Sequence, residues 1–176
     1  MILLLQYTLI FASVLILVAL GGCFAEHSGV INLGLEGIMI MGALGGALTM
    51  RYVPNTAPAI VMLLAVIVVS ALVGMVYSCL LAVASINFKA DQTLVGTALN
   101  LLGTAGATVI VKAINTAANP DDVSSIVQYG GAKSALLVSI GSFEFNWFML
   151  VAFIALVFAY VTLYKTRFGL RLMACG

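Results

Sequence analysis

The chain has 176 residues, of which 64% are hydrophobic and only 7% charged, and its formal net charge is +1 at pH 7. Ordinary soluble domains carry about 25% charged residues, and a soluble fold of this length could not bury so much apolar surface. The balanced charge also lacks the basic surface typical of a nucleic-acid-binding protein and the acidic tail typical of some soluble interaction partners. The composition therefore predicts an integral membrane protein.

Apolar runs long enough to cross about 30 Å of hydrocarbon recur along the chain. They predict an all-α fold, a polytopic transmembrane helix bundle of about five spans with an interrupted or kinked second span. The predicted spans are Ile2–Ala25, Ile38–Met50, Ala59–Ser85, Thr93–Val111 and Trp147–Tyr164. The most polar region, Ala113–Phe145, is predicted to be an extramembrane loop with a short amphipathic helix over Ala135–Ile140.

A cluster of cations at the end of the last span indicates the orientation. Three of them lie within seven residues: Lys165, Arg167 and Arg171. By the positive-inside bias, this cluster places the C-terminus in the cytoplasm. Five crossings then place the N-terminus outside and put residues 26–37 and 87–92 on the cytoplasmic side. Arg51, on the outer side, is an exception to the bias.

Small residues at four-residue spacing predict where helices approach one another closely. In the second span, Gly42 and Gly46 form such a pair, with Ala43 and Ala47 beside them. In the fourth span, the corresponding small residues are Gly103, Gly106 and Ala107. Small side chains let helix backbones come close in a membrane. We interpret all four glycines as contact positions between helices rather than as functional residues.

The first polar motif lies between two apolar segments, at residues 26–37. Its glycines permit an interrupted helix, which at membrane depth is tolerated only inside protein or beside a water-filled cavity. Asn32 and Glu36 are four residues apart, so on a helix they would share one face. That face could line a substrate pathway. Alternatively, Ser28 or Asn32 could simply cap free backbone amides.

The second polar motif begins at Asp91, just before the fourth span. A carboxylate there favours the positive end of the helix dipole and can cap the helix. Capping explains less well the polar stripe that continues into the span at three- and four-residue spacing, which consists of Thr93, Thr97 and Asn100. The stripe could line a polar path, or its side chains could hydrogen-bond to a neighbouring helix.

Other chemistry is poorly represented in the sequence. The three cysteines are scattered, and His27 has no second histidine or cysteine nearby, so we expect no disulfide framework and no metal site. The sequence contains no nucleophile–base constellation and no phosphate-binding glycine loop. We therefore expect no cofactor and no enzymatic activity in this chain.

Three motifs in chain order carry a resemblance to a known family. Residues 28–37, residues 82–92 followed by Asn100, and residues 164–171 resemble permease subunits of bacterial nucleoside and simple-sugar ABC importers, which are related to the ribose and branched-chain amino acid permeases. The Glu-Gly pair at 36–37 is more like the nucleoside branch than the ribose branch. The resemblance implies a pore of two permease subunits in the bacterial inner membrane, two cytoplasmic ATP-binding subunits and a substrate-binding lipoprotein that delivers a nucleoside or sugar.

The resemblance also implies roles for the polar residues. The candidate pathway residues are Ser28, Asn32, Glu36, Asp91, Gln92, Thr93, Thr97 and Asn100. Four of them, by similarity, lie near the cytoplasmic gate: Asn32, Glu36, Asp91 and Gln92. The cations Lys165, Arg167 and Arg171 lead into a loop that couples to the ATP-binding subunits in such permeases.

Family members are longer, so residues 1–176 are expected to form a single transmembrane region, the N-terminal half of the family pattern. Two other functions are compatible with the residues. One is a truncated, non-transporting membrane scaffold, and the other is an ion-coupled secondary carrier that uses Glu36 or Asp91 as its coupling site.

Overall fold

The computed structural model describes residues 2–53, 58–127, 137–140 and 143–175. Helices dominate this described part, and the predicted all-α class is confirmed. The helices are α1 (Ile2–His27), α2 (Leu35–Tyr52), α3 (Ala59–Ile86), α4 (Gln92–Ala118), α5 (Trp147–Lys165) and α6 (Arg167–Cys175).

A small hairpin precedes α5. Strand β1 (Leu137–Ile140) pairs antiparallel with β2 (Phe143–Asn146). The amphipathic helix predicted over residues 135–140 is therefore wrong for residues 137–140, and residues 135 and 136 lie outside the described residues. Alternation of apolar and polar residues in Phe143–Asn146 has the period of two that favours a strand, and pairing with this segment fixes residues 137–140 in extended backbone.

Within the described ranges, three helices are each long and apolar enough to cross a membrane: α1, α3 and α4. With 26 to 28 residues each, they measure about 40 Å at 1.5 Å per residue. A fourth candidate combines α5 and α6, which are bent by 69°. Helix α2 has 18 residues and carries Glu36 and Arg51 near its ends, which lowers its mean hydropathy below that of the other predicted spans.

The described chain divides into two compact units, residues 1–32 with 133–176, and residues 33–132. In the first unit, α1 packs against α5. The buried positions of α5 are Ala152, Ala159 and Leu163, and those of α1 include Gln6 and Ser13. Spacings of seven and four residues keep each set on one helix face, so a narrow stripe of mostly small side chains holds this pair together.

In the second unit, α2 packs against both α3 and α4. Gly42 and Gly46 face α3 at Ser70: a Cβ atom on Gly46 would lie 2.5 Å from the Ser70 Oγ, and one on Gly42 would lie 3.3 Å from the Ser70 carbonyl oxygen. These two predicted contact positions are confirmed. The absence of side chains at both positions lets α2 and α3 come into backbone contact.

The contact between α2 and α4 is closer still. A Cβ atom on Gly37 would lie 2.6 Å from the Leu99 carbonyl oxygen, and one on Gly103 would lie 2.9 Å from the Gly37 Cα. Gly103 is thus confirmed as a contact position. The prediction for Gly106 is wrong, because no described atom lies within 4 Å of the place that its Cβ would occupy.

This difference gives a matched pair of substitutions on one helix. Gly103→Ala should destabilise the second unit by about 1–3 kcal/mol, because the added methyl group meets backbone atoms that cannot rotate away. Gly106→Ala should be neutral or stabilising by up to about 1 kcal/mol, because alanine is the better helix former. Thermal unfolding of the purified chain in detergent measures both, and equal losses of stability would refute the close packing at Gly103.

Candidate functional site

The chain leaves its first helix through a glycine turn. The Val30 N–H donates to the Ala25 carbonyl oxygen at 3.1 Å, and the Gly29 N–H donates to the Glu26 carbonyl oxygen at 3.0 Å. Gly29 has φ 77°, a left-handed conformation that costs glycine little. Together these features form a Schellman helix stop. The backbone then stays non-helical until Leu35, so the interruption in the first motif is a true helix break.

Asn100 of α4 bonds to the far side of this break. Its Oδ1 accepts a hydrogen bond from the Gly37 N–H at 2.7 Å, and its Nδ2 donates to the Leu33 carbonyl oxygen at 2.7 Å. In a continuous helix, the Gly37 N–H would donate to the Leu33 carbonyl oxygen itself, four residues earlier. The Asn100 carboxamide therefore stands in for the missing backbone bond and satisfies both groups at once.

Helix α2 depends on this contact for its start. Its N-cap residue is Gly34, which has no side chain to cap the helix, and the regular ladder begins with the Ile38 N–H donating to the Gly34 carbonyl oxygen at 3.1 Å. The Gly37 N–H, one residue earlier, lies outside this ladder and donates to Asn100 instead. A neighbouring helix thus caps α2 at the Gly37 amide.

The surrounding packing holds α4 tightly against the break. A Cβ atom on Gly96 would lie 2.9 Å from the Gly34 nitrogen. Only glycine at position 96 therefore lets α4 pack this closely against the backbone at the break. From the other side, the Tyr77 hydroxyl of α3 donates to the Leu99 carbonyl oxygen at 2.6 Å. Helix α4 is therefore held next to Asn100 by a backbone contact at Gly96 and by a side-chain hydrogen bond at Leu99. Asn100 lies about 12 Å along α4 from its first residue, at 1.5 Å per residue.

The candidates of the first motif differ in burial: Ser28 and Asn32 are half-buried, and Glu36 is exposed. Ser28 lies at the end of α1, where its hydroxyl donates to the Ala25 carbonyl oxygen at 2.6 Å, so it belongs to the helix stop. Asn32 is half-buried in non-helical backbone, and Glu36 is exposed in the first turn of α2. The expectation that Asn32 and Glu36 share a helix face is wrong, because α2 begins only at Leu35.

In the second motif, Asp91 is the N-cap of α4. Its carboxylate accepts from the Thr93 N–H at 2.8 Å and from the Leu94 N–H at 3.2 Å. Gln92 is half-buried and Thr93 exposed. Thr97 is also exposed, and its hydroxyl donates to the Leu94 carbonyl oxygen at 2.9 Å. The second motif therefore has three parts. Asp91 caps α4; Gln92, Thr93 and Thr97 lie in its first two turns; and Asn100 bonds to the break.

The cations of the third motif lie around a sharp bend. Lys165 ends α5, whereas Arg167 and Arg171 belong to α6, and all three are exposed. Between them, the Thr166 hydroxyl donates to the Thr162 carbonyl oxygen and accepts from the Gly169 N–H at 3.3 Å. Thr166 therefore caps α6 while it remains bonded to α5, and this double role fixes the bend.

A second polar centre, which we call the Asn115 cluster, was not predicted from the sequence. Asn115 is only 2% exposed, near the end of α4. Its Oδ1 accepts from the Arg51 Nη1 at 2.7 Å, and its Nδ2 donates to the carbonyl oxygens of Ser124 at 3.1 Å and Ile126 at 2.8 Å. The cluster thus ties the end of α2 and the segment after α4 to one buried amide. The only signal in the sequence was Arg51, a cation on the side expected to be poor in cations.

Asp122 lies in the same segment after α4, and its side chain bonds to the backbone of that segment. Its Oδ1 accepts from the Ser124 N–H at 3.0 Å. Hydrogen bonds from Ser124 and the nearby positive charge of Arg51 lower the pKa of the Asp122 carboxyl below its ordinary value. A polar cavity of about 410 Å³ opens beside these residues. Among the described residues, no group of three or more His, Cys, Asp or Glu side chains is arranged to hold a metal ion.

Comparison with known proteins places these features in a family. Residues 4–176 match the family described as branched-chain amino acid transport system permease component. The chain is 36% identical over 175 residues to the guanosine ABC transporter permease protein NupQ of Bacillus subtilis, covering 96% of this chain and 54% of that protein. It is 32% identical over 171 residues to the nucleoside ABC transporter permease protein NupC of Lactococcus lactis, with the same coverage of both chains.

A shorter match joins the chain to a putative glucose ABC transporter permease protein of Haloferax volcanii, 37% identical over 105 residues, covering 57% of this chain and 29% of that protein. The chain spans about half the length of the two nucleoside-type relatives. No solved structure matches it significantly.

The bridge made by Asn100 predicts a specific loss of stability. Asn100→Ala removes the partner of the part-buried Gly37 amide and of the more exposed Leu33 carbonyl oxygen, at a cost of about 1–3 kcal/mol. Thr97→Ala, one turn earlier, removes a hydroxyl that bonds only within its own helix and should change stability by less than about 0.5 kcal/mol. Thermal unfolding in detergent compares the two, and equal stability of both variants would refute the bridge.

The lowered pKa of Asp122 predicts a response to acid. The carboxylate stabilises the folded segment above the ordinary aspartate pKa of about 3.9, and this contribution is lost as the pH falls through the lowered folded value. The protection of the amides of residues 122–126, measured relative to their intrinsic exchange rates at each pH, should therefore fall below about pH 4. Asp122→Asn keeps an oxygen acceptor without a titrating group, so its exchange should lack this acid response. The same acid response in both proteins would contradict the assignment.

Proposed function

Because the chain belongs to the family of branched-chain amino acid transport system permease components, we propose that it acts as a transmembrane subunit of an ATP-driven importer of nucleosides. The names of its Bacillus and Lactococcus relatives support nucleosides as the substrate class, and related simple sugars are the next choice. The chain itself catalyses no reaction. It supplies part of the pore, and partner subunits hydrolyse the ATP.

The helix break held by Asn100 is the observation that supports this function most strongly. Gly34, the N-cap residue of α2, packs against Gly96 of α4. Gly96 lies four residues, about 6 Å, along α4 from Gln92, so α2 begins beyond the first turn of α4 rather than level with its first residue. In a membrane-spanning bundle, a helix that starts at depth directs the positive end of its dipole into the protein. Transporters use such interrupted helices to build binding sites and gates near the bilayer centre.

The proposed gate combines both polar motifs. Asn100 holds the start of α2 in place, so Glu36 in its first turn has a defined position. Asp91 fixes the start of α4, which orders Gln92, Thr93 and Thr97 along the same helix. Ser28 and Asn32 precede the start of α2 in the chain. We propose that the side chains of both motifs meet polar groups of the substrate as it passes.

Partners and orientation follow from the same proposal. A second permease subunit would complete the pore, two ATP-binding subunits would act in the cytoplasm, and a lipid-anchored or periplasmic binding protein would deliver substrate. The exposed cations Lys165, Arg167 and Arg171 favour a cytoplasmic C-terminus in the bacterial inner membrane, with the N-terminus outside. ATP binding on the partners would then drive alternating access through the region around α6.

Uptake of radiolabelled guanosine by cells that express this chain with its partner subunits tests the function. We expect uptake that requires the ATP-binding subunits and does not collapse when only the proton gradient is dissipated. Uptake that survives loss of the ATP-binding subunits but depends on the proton gradient would instead indicate a secondary carrier.

The same assay tests the gate. Asp91→Asn retains an oxygen that can cap α4, so its stability should remain close to that of the parent while uptake falls about tenfold, a change of 1.4 kcal/mol. Asn32→Ala should also impair uptake. Lys112→Gln, an exposed change on α4 outside both motifs, is the matched control and should transport normally. Normal uptake in both motif variants would remove the gate assignment.

A further inference from the structure

The polar cavity beside the Asn115 cluster lies at the opposite end of α4 from Asp91. It has a volume of about 410 Å³ and is lined by Arg51, Asn115, Ala118, Asn119, Asp121 and Asp122. This size falls within the range of about 300–1,000 Å³ that is usual for small-molecule sites. Under the orientation proposed above, this end of α4 faces outward, where an imported substrate arrives.

The cavity has a rigid wall. The buried Asn115 amide accepts from Arg51 and donates to the Ser124 and Ile126 carbonyl oxygens, so the end of α2 and the segment after α4 cannot shift independently. Asp122 bonds the Ser124 N–H and reinforces the same segment. A site whose polar groups are already held in place loses little entropy when a ligand binds.

The charges around the cavity select the class of ligand. A small anion would meet the carboxylates of Asp121 and Asp122, and a cation would meet the Arg51 guanidinium. A neutral ligand with both hydrogen-bond donors and acceptors can donate to the carboxylates and accept from the guanidinium. Arg51 has five N–H donors in all, and the side chain of Asp121 is exposed. A ribonucleoside has this chemistry, because its ribose 2′- and 3′-hydroxyls can donate to a carboxylate and the acceptor atoms of its base can accept from a guanidinium.

We infer that this cavity is a binding site for ribonucleosides, in which Asp121 accepts hydrogen bonds from the ribose 2′- and 3′-hydroxyls and Arg51 donates to the base. The inference rests on the proposed nucleoside import, and it makes this cavity the place where the nucleoside first contacts the chain. It also predicts a selectivity, because a ligand without the two hydroxyls leaves the carboxylate without its donors.

Equilibrium binding of radiolabelled guanosine and 2′,3′-dideoxyguanosine to the purified chain in lipid nanodiscs tests the site. The parent should bind guanosine at least tenfold more tightly than the dideoxy analogue. Asp121→Asn should weaken guanosine binding about tenfold and bring the two affinities together. Glu26→Gln, which removes an exposed carboxylate at the end of α1, is the charge-matched control and should keep both the affinity and the preference.

A second variant tests the cavity without touching its hydrogen bonds. Ala118→Leu fills the space and should abolish guanosine binding while the unfolding temperature stays unchanged. Equal binding of the two nucleosides by the parent, an undiminished preference in Asp121→Asn, or full binding by Ala118→Leu would each overturn the site. Binding needs no ATP-binding subunit, so guanosine binding without uptake would count against the proposed importer alone, and uptake without this binding would count against the site alone.

Discussion

One side-chain amide replaces one backbone hydrogen bond, and the second unit of the chain is organised around that replacement. A helix that stops and starts again leaves N–H and C=O groups unpaired, and in an apolar protein each such group is costly. Asn100 offers a donor and an acceptor on one planar group, so it bonds the Leu33 carbonyl oxygen and the Gly37 amide together. The close approach that this geometry needs explains why glycines stand at 37, 96 and 103, where any Cβ atom would meet backbone.

The same chemistry recurs at the other end of α4. Asn115 follows Asn100 by 15 residues, which is about 22 Å along the helix and about 60° around it. Its amide also bonds backbone carbonyl groups of a non-helical segment, those of Ser124 and Ile126. Helix α4 thus carries two asparagines that each hold irregular backbone against a regular helix. In a chain with only 7% charged residues, neutral amides do this without placing an uncompensated charge within a bilayer.

The sequence predicted the features that depend on local pattern. The apolar runs gave the helices, the glycine spacing at 42 and 46 gave a helix contact, and the position of Asp91 before an apolar run indicated its cap. Tertiary contacts could not be predicted in the same way. Asn100 was recognised as polar within a span, but its two partners lie more than 60 residues away. Asn115 was assigned to a polar loop region because its burial depends on the segment that folds back over it. Gly106 carries the same local signal as Gly103, but no described atom lies within 4 Å of the place that its Cβ would occupy.

These contacts give the break a fixed geometry, and that geometry is the central claim. Residue-resolved amide exchange at Gly37, in lipid nanodiscs, tests it most directly, because this amide is protected from exchange only if Asn100 accepts its hydrogen bond. The account predicts strong protection in the parent chain and exchange at least about tenfold faster, about 1.4 kcal/mol, in Asn100→Leu, while the Gly45 amide further along α2 keeps its rate. Equal exchange at Gly37 in both proteins would contradict it, since the helix would then continue through the break on its own backbone bonds.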